Sequence, residues 1–211
     1  MTPAPTEPTI VEVFADVVCP FTHIAILELV TERERRGRDD VVFRLRAWPL
    51  ELVNGELQPR DLITEEIAEL RRAVAPERFR GFDPGLFPMS SLPALSLAEH
   101  AYRDGLPTGE QLSLALRRAL FEEGRDVSDP DVLAGLARTF GLDAPDPADA
   151  AAVRSDLAEG RERGVVGSPH FFVGGSSYFA PSVDVSEVAG RIVVTRDEEG
   201  YDEIIRACFG A

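Results

Sequence analysis

The run Ile10-Val-Glu-Val-Phe-Ala-Asp-Val17, followed closely by Cys19-Pro20-Phe21-Thr22 and then by the helix-like run Ile24 to Arg36, decides how this chain reads. Ile10 to Val17 is apolar apart from Glu12 and Asp16, a pattern that predicts a buried strand. A thiol between that strand and the helix sits at a helix N-terminus. There the unpaired N–H groups and the positive dipole end favour thiolate over thiol, and cysteine pKa values fall to roughly 3.5–7.5. Cys19 is therefore expected to be a reactive thiolate.

Working outward, Val41 to Trp48 alternates around Arg44 and Arg46 and predicts a second strand, so that a helix over 20–36 is flanked by strands. Asn54-Gly55 reads as a turn, after which the pattern becomes helical. Ile63, Ile67 and Leu70 fall at i, i+4 and i+7, the spacing of an amphipathic helix face. Phe79 to Pro88 reads as a Phe-rich loop, and Leu92 to Tyr102 and Gly109 to Phe121 as further helices. Asp129-Pro130 and Asp146-Pro147 each supply an N-cap carboxylate before a proline at the first helical position. Gly174-Gly175 between Phe171–Val173 and Ser177–Phe179 predicts a β-hairpin, Ile192 to Thr195 a short strand, and Asp197 to Phe209 a closing helix.

A second chemically informative stretch is Gly164-Val-Val-Gly-Ser-Pro-His-Phe-Phe-Val-Gly-Gly. Proline opening a strand is confined to special positions, and X-Pro is the bond at which a cis form is accessible. Ser168–Pro169 is the candidate cis bond. Strand–CPFT–helix together with this later proline loop resembles the thioredoxin fold. The long helical segment between them is similar to the DsbA-like branch that includes FrnE-type proteins and 2-hydroxychromene-2-carboxylate isomerases. Arg46-Ala-Trp-Pro-Leu-Glu-Leu-Val-Asn54 and Ala119-Leu-Phe-Glu-Glu-Gly-Arg-Asp-Val-Ser-Asp-Pro-Asp-Val-Leu133 look like further segments of that branch.

The resemblance implies an α/β chain: a thioredoxin-like domain over 10–56 and 165–211, an inserted all-helical domain over 57–164, and a flexible tail over 1–9. It also implies that the proline loop faces the cysteine and that the backbone before Pro169 pairs with an extended substrate. Candidate catalytic residues are then Cys19, Thr22 and His23. Candidate substrate contacts are Pro20, Phe21, Ser168, Pro169, His170 and Trp48, with Trp48, the Phe-rich loop and Phe121 as the apolar wall of a cleft.

In the two-cysteine form of this motif the second thiol resolves the mixed disulfide. Thr22 occupies that place and has no redox chemistry, so Cys19 acts alone. The Thr22 hydroxyl is placed to donate to the thiolate, or is simply tolerated in a first helical turn. His23 lies at i+4 from Cys19, where it either tunes the thiol or packs. Asp16 caps the strand-to-helix turn or relays protons. Cys208 reads as a packed free cysteine. Arg125, Arg161 and Arg163 read as surface partners of acidic residues, and no His, Cys or Asp spacing suits a metal.

The expected activity is thiol–disulfide oxidoreduction through mixed disulfides with a low-molecular-weight or protein thiol. The alternatives are a thiol-dependent isomerase or kappa-like glutathione transferase, and a non-catalytic binding module. No tightly bound cofactor is expected. Glutathione would be the cosubstrate, or mycothiol if the all-Arg basic set reflects a GC-rich actinobacterial genome. A net charge of -15 argues against nucleic acid and anionic membranes as partners. Two cysteines form no disulfide framework, and no signal-peptide core or membrane-length apolar run is evident, so a cytoplasmic protein is expected. The oligomeric state stays open, a homodimer included.

Overall fold

Strand β1 (Thr9–Ala15) is built by alternation: Val11, Val13 and Ala15 point to one side of the sheet, Glu12 and Phe14 to the other. The computed structural model describes residues 8–143 and 147–210. Most of the tail expected over 1–9, and the Asp146 cap, lie outside the described residues.

Helix α1 (Pro20–Arg36) follows β1, with Pro20 in its first turn and Gly37 in the left-handed conformation at its end. Strand β2 (Val41–Ala47) then pairs parallel to β1. Helices α2 (Leu50–Asn54), α3 (Arg60–Ala73), α4 (Leu92–Asp104), α5 (Leu106–Phe121), α6 (Pro130–Thr139) and α7 (Pro147–Glu162) come before the chain re-enters the sheet. Strands β3 (His170–Val173) and β4 (Ser176–Phe179) complete the order β2-β1-β3-β4, both added antiparallel. A separate hairpin of β5 (Val183–Val188) and β6 (Arg191–Arg196) leads into α8 (Glu198–Phe209).

One sheet face packs Val11, Val13, Phe43 and Phe171 against α1 and α8. On the other, Phe14 and Trp48 pack under Leu157 of α7, and Phe14 meets Trp48 edge-on at 6.4 Å between ring centroids. A third cluster joins α3 to α6, the Phe-rich loop, Val17, Val18 and Ile24, and Val183 and Val194 of the hairpin. Ile63, Ile67 and Leu70 are the residues that α3 buries, as their spacing predicts. Two elements escape the sequence reading. Asn54-Gly55 ends the short helix α2, with Gly55 at φ 85°. The solvated β5 carries Asp184, Ser186 and Glu187 and gives no strand signal of its own.

Strand β2 is a sheet edge, and an unpaired edge is a template for aggregation. Here side chains from three helices cover it. Phe43 N–H donates to Glu110 at 2.8 Å, Leu45 N–H to the Tyr102 hydroxyl at 2.8 Å, and Ala47 N–H to Asp156 at 2.9 Å. Tyr102 donates in turn to Phe43 O at 3.1 Å, while Arg44 lies 3.8 Å above its ring. Gly109 makes room for that ring, since a Cβ there would lie 2.1 Å from Tyr102 Cδ1.

Gly109→Ala should therefore destabilise the protein despite a helix-propensity gain of up to about 1 kcal/mol. Displacing Tyr102 should cost about 1–3 kcal/mol net, lowering Tm by roughly 2–4 °C per kcal/mol in a thermal melt. A raised Tm would show that the edge does not depend on Tyr102.

Candidate functional site

Cys19 is the residue immediately before α1, and its carbonyl accepts from His23 N–H at 3.2 Å. The Ser168–Pro169 peptide is cis, and the loop carrying it lies against the start of this helix. Cys19 Sγ donates to Ser168 O at 3.1 Å. The Ser168 hydroxyl accepts from Asp16 N–H at 2.9 Å and pairs with the Thr22 hydroxyl at 2.9 Å. The Thr22 hydroxyl and backbone N–H both act to lower the Cys19 pKa. Cys19, Thr22, Ser168 and Pro169 are thus brought together at one point.

The ionisation expected for Cys19 is not what this environment produces. The residue is 2% exposed, and burial pushes its thiol pKa upward against the opposing hydrogen bonds from Ser168 and Thr22, with the Glu66 charge adding to the rise. A helix N-terminus stabilises an anion by about 0.3–1 kcal/mol, whereas removing a charge from water costs several. Desolvation wins, and the resting group is a thiol that donates its proton to a backbone carbonyl.

His23 is fully buried, with Nε2 2.8 Å from Glu122 and its ring 4.9 Å from Phe121 and 5.3 Å from Phe79. Burial lowers its pKa. Among the described residues these three engage its side chain, and the i+4 spacing from Cys19 serves packing beneath the helices. His170 stacks on Phe172 at 4.9 Å, its Nδ1 accepts from Val166 N–H at 3.3 Å, and its ring lies on the Phe14 side of the sheet. Trp48 is buried with Phe14, Leu157 and Val165, in a different cluster from Phe79, Phe87 and Phe121. The wall expected from Trp48, the Phe-rich loop and Phe121 therefore does not form. Pro20 is buried, and Phe21 is half-buried against the helical cluster. Cys208 packs among Ile204, Ile205 and Phe209, with burial pushing its thiol up to about 12. Arg163 stacks 4.0 Å over Phe172 and bonds Glu12 and Glu159.

Asp16 does more than cap its turn. One carboxylate oxygen accepts from Val18 N–H at 3.2 Å, and the other accepts from Leu50 N–H at 2.6 Å, at the start of α2. Ser91, before α4, places its hydroxyl 3.1 Å from Asp16 and 3.1 Å from Glu51. Arg117 of α5, also buried, donates to Asp16 O at 3.1 Å. Burial pushes the Asp16 carboxyl up to about 6, against donors from Leu50, Val18 and Ser91 and the Arg117 charge. Ser91, Glu51, Arg117 and Glu122 carry no local motif. Val166 and Phe179 border the proline loop and remain exposed, and Phe179 lies where a Cβ on Gly167 would fall, 2.6 Å from its ring.

A family model described as the DSBA-like thioredoxin domain matches residues 10–193. The chain belongs to the DSBA-like thioredoxin domain family. Its fold is a thioredoxin fold of the DsbA type with an inserted helical region, and the general class of the family is thiol oxidoreductase. No curated protein matches the chain by sequence. Among solved structures it is similar to a 2-hydroxychromene-2-carboxylate isomerase, at 18% identity and TM-score 0.61, covering 81% of this chain and 88% of that one. It is also similar to the cytosolic disulfide reductase DsbM from Pseudomonas aeruginosa, at 17% identity and TM-score 0.56, covering 92% and 96%. A structure of that reductase with GSH matches at TM-score 0.53. At these identities the likeness is one of fold. As a DSBA-like domain, the chain has no helix among its described residues long and apolar enough to cross a membrane.

Asp16 generates a pH prediction. Its folded pKa, about 6, lies above the ordinary 3.8, so the folded state binds the proton more tightly, and stability from this group falls as pH rises between those values. About two pKa units correspond to about 3 kcal/mol. In urea titrations at pH 4 and pH 7, Asp16→Asn should gain about that much relative to wild type on going to pH 7. An unchanged difference would show that Asp16 stays ionised throughout.

Proposed function

We propose that the protein is a thiol–disulfide oxidoreductase working through Cys19 alone, by mixed disulfides with a low-molecular-weight thiol or a thiolated protein. The observation that carries this reading is the contact of Cys19 Sγ with Ser168 O, 3.1 Å apart across the cis-proline loop. A disulfide can be attacked at that point, and Thr22, having no thiol, cannot close a ring with Cys19. The product is a mixed disulfide that a second small thiol releases. Glutathione or mycothiol fits the role, and the DsbM structure with GSH supports a small-thiol partner. Exposed Val166 and Phe179 offer apolar contacts to a substrate lying along the loop. Because Cys19 is almost sealed from solvent, substrate reaches the sulfur by displacing the side chains that cover it.

The paired Thr22 and Ser168 hydroxyls, 2.9 Å apart, favour a second reading. Two hydroxyls beside a protonated protein thiol are also what a thiol-dependent isomerase or transferase needs to hold a cosubstrate sulfur.

Mass spectrometry after incubation with oxidised glutathione or mycothiol disulfide separates the two. Under the leading reading a single adduct forms on Cys19, persists in Cys208→Ser and disappears in Cys19→Ser together with disulfide-exchange activity. Thiol-dependent turnover that survives Cys19→Ser would assign the site to the isomerase or transferase. An adduct on Cys208 alone would overturn both the cysteine assignment and the monothiol mechanism.

A further inference from the structure

Ser91 stands where one proton has two claimants. Its hydroxyl, buried just ahead of α4, lies 3.1 Å from Asp16 Oδ2 and 3.1 Å from Glu51 Oε1. A hydroxyl carries a single hydrogen, and an ionised carboxylate can only accept. With both acids ionised, one of the two contacts is left as lone pair against lone pair. One added proton turns both into hydrogen bonds.

Glu51 is the better furnished of the two as an anion. It is half-buried on α2, and its Oε1 also accepts from Ser91 N–H at 2.7 Å, Leu92 N–H at 3.3 Å and the Ser90 hydroxyl at 2.8 Å, at the positive end of α4. Asp16 is fully buried, and its Oδ1 is taken by Val18 N–H. The added proton therefore belongs on Asp16 Oδ2, and the rise of that carboxyl to about 6 agrees. The charged group facing Asp16 from α5 is Arg117, which favours the anion but donates to the main-chain carbonyl and not to the carboxyl. From α1 the titratable neighbour is Cys19, a resting thiol whose N–H reaches the same carbonyl at 3.4 Å. From the proline loop Ser168 brings only a hydroxyl.

We propose that the Ser91 hydroxyl is a pH-operated switch, bonded to Glu51 while Asp16 holds the shared proton and turned to Asp16 once that proton is lost. In the protonated state Asp16 Oδ2–H donates to Ser91 Oγ, and Ser91 Oγ–H donates to Glu51 Oε1. In the ionised state Ser91 donates to Asp16, and Glu51 faces a lone pair at 3.1 Å. The proton goes to water, and the hydroxyl stays neutral throughout. Asp16 N–H is bound to Ser168, and its carbonyl to Cys19 N–H, so the switch is fastened to both walls of the cysteine site. It does not depend on the reaction proposed for the sulfur.

The test is a carbon-13 NMR titration of the full-length chain, following the Asp16 and Glu51 carboxyl carbons from pH 4 to 8.5. Wild type, Glu51→Gln, Ser91→Ala and the double variant are compared. In wild type both carbons should step together near pH 6. Glu51→Gln frees the hydroxyl to serve ionised Asp16, so Asp16 should titrate about one pH unit lower, roughly what one hydrogen bond contributes. In the Ser91→Ala background the same Glu51→Gln change should leave Asp16 where it is, because nothing then connects the two acids. An equal shift with and without Ser91 would mean charge repulsion alone and would overturn the switch. So would an Asp16 carbon with no step, or a Glu51 carbon blind to that step, results that stand on wild type even if Ser91→Ala does not fold.

Discussion

The end of β1 is held by a carboxylate that has no water to fall back on. Asp16 must find its hydrogen bonds inside the protein, and it draws them from the turn at Val18, the start of α2 at Leu50 and the hydroxyl of Ser91 before α4. Its own backbone N–H donates to the Ser168 hydroxyl, and its carbonyl accepts a hydrogen bond from buried Arg117. One residue therefore ties the first strand to the helix start, the proline loop and three segments of the helical region, at α2, α4 and α5. A buried polar group left unpaired costs about 1–3 kcal/mol, so these segments are not free to drift independently. The position of Cys19, three residues on, is inherited from that junction.

The same dryness sets the chemistry. A helix N-terminus in water makes a thiolate; a helix N-terminus buried against the proline loop does not. The desolvation that fixes Asp16 and Arg117 also keeps the Cys19 proton on sulfur, where it is donated to Ser168 O. Reactivity then belongs to the assembled site rather than to the helix, because whatever opens the site to water acts on the proton.

Residues close together in sequence were legible wherever the constraint acting on them was local. Cys19, Thr22, Ser168 and Pro169 declare themselves through a strand-to-helix junction and an X-Pro strand start, and the structure brings all four together. His23, His170 and Trp48 were placed beside them because spacing and alternation name a face without saying what lies opposite it. Each proved to face packing partners: Glu122 with two phenylalanines, Phe172, and Phe14 with Leu157. Helix α2 was hidden by the glycine that ends it, and β5 by its solvated composition.

The amino-acid order by itself determined the strand–helix–strand start, the helical run, the hairpin at Gly174-Gly175 and the pair of segments that meet at the sulfur. Periodicity, turn chemistry and the geometry of proline are properties of neighbouring residues, and they need no partner to be read. Tertiary structure alone decided that Cys19 is a buried thiol, that Asp16 is shared among five segments, and that His23, His170 and Trp48 face packing partners. Those outcomes depend on which distant surfaces exclude water from a charge, and dehydration is a property of the assembled volume that no local pattern encodes.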